Sequence, residues 1–152
     1  MNRLARALSF SLAFAVPVFP VISQVPKIRA CGLLPAAEVK KHLPWHAALD
    51  KMPPEEGDVG ATGSSCDYAS VTIQVLAFQQ GTIDAAKKKP GIQSVSGLGE
   101  EAYFYPNPNG YAEYYVKKGK YLLTVQANAD GRIDAVKPGA ASLAKALLAK
   151  LP

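Results

Sequence analysis

The sequence is poor in the residues that carry most catalytic and metal chemistry. It contains only two histidines, two cysteines and one tryptophan. His42 and His46 are four apart, but Pro44 lies between them and breaks the helix that would turn both onto one ion, and a third ligand is missing. No G-x-S-x-G elbow occurs, so a Ser-His-Asp set drawn from Ser64, Ser65, Asp67 and a histidine lacks the shaped turn that presents a nucleophile. Gly57, Gly60 and Gly63 recur at a fixed spacing, yet Ser64-Ser65 follow where a phosphate-binding loop needs Lys and then Ser or Thr. The adjacent pair Glu100-Glu101 points to opposite faces of an extended strand and does not converge. These absences point to a chain with no catalytic residue, no cofactor and no metal.

A membrane span is missing as well. The apolar stretch of residues 7–22 is interrupted by Pro17 and Pro20 and is shorter than the roughly 20 residues a span needs. Arg3 and Arg6 precede it, and Val21 and Ser23 stand at positions −3 and −1 of a cut after Ser23. Residues 1–23 therefore read as a signal peptide, with a retained N-terminal anchor as the alternative. Cleavage after Ala30 is disfavoured by Lys27 and Arg29. Arg29 also spoils the short box that lipid attachment at Cys31 would require. Residues 24–30 are a polar leader, and residues 31–152 form one domain. Removal of Arg3 and Arg6 lowers the net charge from +5 to +3, too little for a nucleic-acid footprint.

In an exported chain, two cysteines favour a disulfide, with two buried free thiols as the alternative. Cys31 and Cys66 lie 35 apart, and a bridge over that loop contributes roughly 4 kcal/mol by the chain-entropy model.

The pattern predicts a helix over residues 33–43, a loop over 50–65 and one strand over 66–78. A short helix over 82–89 carries Lys87-Lys88-Lys89 in its last turn, where the run suits the helix dipole. Strands follow over 101–105, 111–116 and 121–127. Gly97 and Gly99 mark a bend before the first of these, a turn follows at 106–110, and Gly119 supplies a tight hairpin. A helix over 138–151 presents Leu143, Leu147 and Leu151 as one stripe. Tight turns imply antiparallel pairing. The expected fold is α+β, a four-stranded antiparallel sheet with the N- and C-terminal helices packed on one face.

Tyrosines crowd the last three strands. If Phe104, Tyr114 and Val116 face the helices, then Tyr103, Tyr105 and Tyr115 face outward. Beside them, Lys117 and Lys118 complete a candidate partner-binding surface. Cross-strand aromatic pairing on an ordinary solvated face is the other reading.

The start Cys31-Gly32-Leu33-Leu34, the segment Ala37-Glu38-Val39, the triplet Cys66-Asp67-Tyr68, the run Val95-Ser96-Gly97-Leu98-Gly99-Glu100-Glu101-Ala102 and the closing Leu-Ala-Lys-Ala-Leu helix together resemble a family of small exported bacterial domains of unknown function, many of them lipoproteins. The resemblance covers about Cys31 to Leu151. It implies an α+β fold, a bridge between the two cysteines and no known enzyme activity. The expectation is an exported, non-catalytic binding or interaction domain of the bacterial cell envelope, periplasmic or secreted. Its partner is an envelope or extracellular protein, and it has no membrane span after signal removal. The alternative is a secreted enzyme inhibitor or a small hydrolase-like enzyme, with Glu55, Glu56 and Asp58 in a mobile lid.

Overall fold

Alternation of apolar and polar residues dominates the second half of the chain, and the backbone follows it. A computed structural model describes residues 25–46 and 52–152. The signal-peptide reading of residues 1–23, Gln24 of the leader and the first residues of the 50–65 loop lie outside the described residues. The strands are β1 (Glu55–Val59), β2 (Gly63–Tyr68), β3 (Val71–Ala77), β4 (Gln93–Ser94), β5 (Glu101–Asn107), β6 (Tyr111–Lys118) and β7 (Tyr121–Asn128). The helices are α1 (Ala36–His42), α2 (Gln80–Lys87) and α3 (Ile133–Leu148), with a single 3₁₀ turn at Ala30–Gly32.

The class is α+β, but the sheet has seven antiparallel strands in the order β1-β2-β3-β7-β6-β5-β4, not four. Three strands escaped the pattern for separate reasons. β1 is an edge strand of Glu, Gly and Asp without apolar alternation, inside the stretch expected to be a loop. β2 and β3 read as one strand because the turn between them, Ala69-Ser70, lacks the Asn-Gly or Asp-Gly signature of two-residue hairpins. Ala69 takes φ +59° there without being glycine. β4 is only two residues long. β5 also runs through Pro106, where β4 no longer covers its outer edge and no ladder bond is lost.

Register explains the core. Cys66, Ile73, Val125, Tyr114 and Phe104 form one row across five strands, and each is buried. α3 lies against β6 and β7 over this face, burying Val136, Ala140, Leu143, Ala144 and Leu147. The helix starts five residues earlier than its apolar stripe predicts and carries Pro138 inside it. α1 packs on α3 at Gly139, where a Cβ would collide with the His42 carbonyl oxygen and lie 2.9 Å from Leu43 Cδ2. Gly99 is equally constrained: at φ +58°, its Cα sits against the β6 backbone at Lys117.

The N-terminal segment is strapped to the same layer. Cys31 and Cys66 form a disulfide. The Glu56 carboxylate accepts the Ala30 N–H at 2.9 Å and the Cys31 N–H at 3.0 Å. Ser64 Oγ accepts from Ala30 N–H at 2.8 Å and donates to the Ile28 carbonyl at 2.6 Å. Val25 and Ile28 pack against the core. A disulfide stabilises chiefly by restricting the unfolded chain. The double variant Cys31→Ala/Cys66→Ala is expected to lose about 2–4 kcal/mol, read as a lower urea midpoint than that of the oxidised protein.

Candidate functional site

The face of the sheet opposite α3 is built from the other half of each strand's side chains. Two rows cross its middle. One runs Asp67, Thr72, Gln126, Glu113, Tyr105, and the next runs Ser65, Gln74, Thr124, Tyr115, Tyr103. At one end of this face Ile83 and Ala86 of α2, with Leu122 of β7, are buried outside the main core and form a smaller apolar layer. α2 therefore covers only part of the face. Beside it an open cleft of about 250 Å³ is lined by Thr72, Gln74, Thr124, Gln126, Glu113 and Tyr115, with Leu76, Thr82 and Lys89 completing the wall.

Glu113 organises this cleft. Its side chain is 5 % exposed. Four donors meet its carboxylate: Asn107 Nδ2 at 2.5 Å, Gln126 Nε2 at 2.7 Å, the Tyr115 hydroxyl at 2.5 Å and Lys89 Nζ at 3.3 Å. Burial pushes the Glu113 pKa up, but the hydrogen bonds from Tyr115, Asn107 and Gln126 and the Lys89 ammonium outweigh it, and the net shift is downward. Tyr115 moves the other way. Burial, then its hydrogen bond to the Glu113 carboxylate, holds the phenol protonated far above neutral pH. Lys89 also donates to the Tyr115 hydroxyl. Its ammonium lies 4.4 Å from the Tyr105 ring centre and 4.7 Å from that of Tyr115.

Tyr103, Tyr105, Tyr115 and Lys117 share this face, as alternation predicts, and Tyr103 stands directly opposite Tyr115. They are less open than a bare contact surface. Tyr105 is only 8 % exposed. The Lys87 ammonium sits 5.5 Å from the Tyr103 ring centre and is ion-paired to Glu101 at 2.6 Å. Lys117 lies 4.8 Å from the Phe78 ring centre and pairs with Glu100 at 3.1 Å. Lys87 and Lys89 thus brace the sheet's tyrosines and acids from the end of α2. Lys118 is not brought to this surface. Its parity is that of Tyr114 and Val116, and its Nζ donates to the carbonyls of Leu148 at 2.8 Å and Leu151 at 2.6 Å, closing the end of α3.

The histidines lie away from the cleft. His42 Nδ1 is 2.9 Å from Ser142 Oγ of α3. His46 is buried, and desolvation lowers its pKa. Neither they nor a cysteine lines the cleft. Among the described residues no group of three or more His, Cys, Asp or Glu is placed to hold a metal ion. Glu113, Lys89, Gln74, Thr124 and Gln126 were not singled out from sequence. The available signal was Glu113 itself, a carboxylate inside a strand with the same parity as Tyr111 and Tyr115.

Because the folded pKa of Glu113 is depressed, its contribution to stability is present above the ordinary glutamate pKa of about 4.3 and is lost as pH falls through the lower folded value. Glu113→Gln is therefore expected to be less stable than wild type at pH 7, with the gap narrowing steadily below about pH 4 in urea melts. A gap independent of pH contradicts a charged, caged Glu113.

Comparison with protein-family models, with curated proteins and with solved structures finds no match for this chain.

Proposed function

We propose that this chain is an exported, non-catalytic binding domain of the bacterial cell envelope, and that it makes contact through the sheet face opposite α3. One observation carries the reading. The face is left partly uncovered, and Tyr115, Gln126 and Lys89 within it are held by the Glu113 cage, so a partly preformed polar surface faces solvent. A partner meeting it has little ordering cost to overcome. A phenol kept protonated and a carboxylate saturated by donors are poor bases, which favours binding over acid–base catalysis.

Export is supported by the chain's own packing. A disulfide persists in an oxidising compartment. Among the described residues no helix is long and apolar enough to cross a membrane. Ala30 is fully buried, and Val25 and Ile28 pack on the core. Cleavage after Ala30 would strip this strap away, whereas cleavage after Ser23 leaves it whole. The Cys31 sulfur is committed to Cys66 and is not free to carry a lipid. A periplasmic or secreted destination follows from this reading.

Tyr103 and Lys117 sit on the contact face outside the Glu113 cage, so truncating them spares the cage. The double variant Tyr103→Ala/Lys117→Ala is expected to melt within a few degrees of wild type and to lose co-sedimentation with the isolated cell-envelope fraction of its host. A folded variant that co-sediments as wild type does contradicts the assignment of this face.

A further inference from the structure

We infer that the cleft beside Glu113 takes a neutral pyranose ring, and that the adjoining trough takes the next ring of a glycan chain. This rests on the outer sheet face being the contact surface and names what that surface binds.

Charge balance comes first. Among the described residues Glu113 and Lys89 are the charged side chains lining the cleft, and they pair with each other within its wall; the exposed Asp67 carboxylate lies outside the lining and accepts from Thr72 Oγ1. An incoming anion finds Lys89 already held by Glu113, by the Tyr115 hydroxyl and by two ring faces. An incoming cation finds Glu113 saturated by four donors. The cleft therefore selects against net charge of either sign.

Hydrogen-bonding capacity comes second. Gln126 donates through Nε2 to Glu113, which fixes its amide and leaves Oε1 as an acceptor. The side chains of Gln74, Thr82 and Thr124 carry no hydrogen bond to another described residue, and all three line the cleft. Hydroxyls and amides that both donate and accept match sugar hydroxyls, which do the same. A peptide is a worse match. Recognition of extended peptides uses the unpaired backbone of a sheet edge, whereas the floor here is β3, β7 and β6, paired on both sides in the middle of the sheet.

Shape comes third. At about 250 Å³ the cleft lies just below the usual range of about 300–1,000 Å³ for small-molecule sites, a size for one ring. A second cavity of about 380 Å³ shares Leu76 and Thr82 with it and extends to the β1–β2 turn, where Val59, Gly60, Ala61 and Ala77 line it without any charge. Pyranose rings have a polar rim and C–H faces. Leu76, at the junction, offers an apolar wall to two consecutive rings.

The test is ¹⁵N-resolved NMR titration of the mature, disulfide-bonded protein at millimolar ligand. The probes are methyl β-glucoside, cellobiose and N,N′-diacetylchitobiose. Inorganic phosphate, glucuronate and glycylglycine serve as contrasting probes. Neutral saccharides are expected to shift the Gln74, Thr124 and Gln126 signals, and the disaccharides also to shift Gly60 and Ala61. Gln74→Ala and Thr124→Val are each expected to raise Kd roughly fivefold or more, the size of one lost hydrogen bond, with the rest of the spectrum unchanged. The inference is overturned if neutral saccharides cause no shift there. It is also overturned if phosphate, glucuronate or the dipeptide binds more tightly, or if both folded variants bind as wild type does. If saccharides fail while envelope co-sedimentation still depends on Tyr103 and Lys117, the ligand class falls and the contact face stands. If both fail, the face itself is misassigned.

Discussion

A carboxylate in the middle of a β-sheet is expensive. Withdrawing it from water costs several kcal/mol unless its lone pairs are met, and here four donors from separate parts of the chain meet them. Asn107 comes from the end of β5, Tyr115 from β6, Gln126 from β7 and Lys89 from the segment after α2. Glu113 therefore ties a helix to the sheet face it only partly covers. It also fixes Tyr115, Gln126 and Lys89 in the cleft wall. Loss of any one donor leaves a buried charge under-satisfied, so the parts of this network stand together.

The two faces of the sheet solve different problems. Toward α3, rows of Val, Leu, Tyr and Phe bury apolar surface, and Lys118 closes the helix end. Toward α2, the same strands present Thr, Gln, Tyr and Glu. An antiparallel sheet can leave one face wet and polar. Here the charges are paired inward, with Lys87 on Glu101 and Lys89 on Glu113. Asp67, exposed at the β2 end of the face, stays charged toward solvent with Thr72 Oγ1 donating to it, while the cleft wall presents Thr and Gln side chains.

The strongest periodic elements were legible from sequence. The Leu143–Leu147 stripe marks α3, and the Gly119 turn marks the β6–β7 hairpin. The outward direction of Tyr103, Tyr105 and Tyr115 follows from alternation alone. The same parity places Lys118 on the core side, with Tyr114 and Val116 and apart from the tyrosine face. β1 and the β2–β3 turn were hidden because an acidic edge strand has no apolar period and Ala69-Ser70 has no turn signature. Lys89 was hidden for a tertiary reason. A lysine run at a helix end satisfies the dipole equally well wherever the helix packs, and only the docked position of α2 brings Lys89 over Tyr105 and Tyr115.

The most direct test of the contact face is hydroxyl-radical footprinting of the mature protein with and without the host's isolated envelope fraction. Protection at Leu76, Phe78 and Tyr103, with unchanged labelling of the exposed Trp45 beside α3, is the predicted result. Protection of Trp45 with unchanged labelling at Leu76, Phe78 and Tyr103 would place the contact on the helical side and contradict the account.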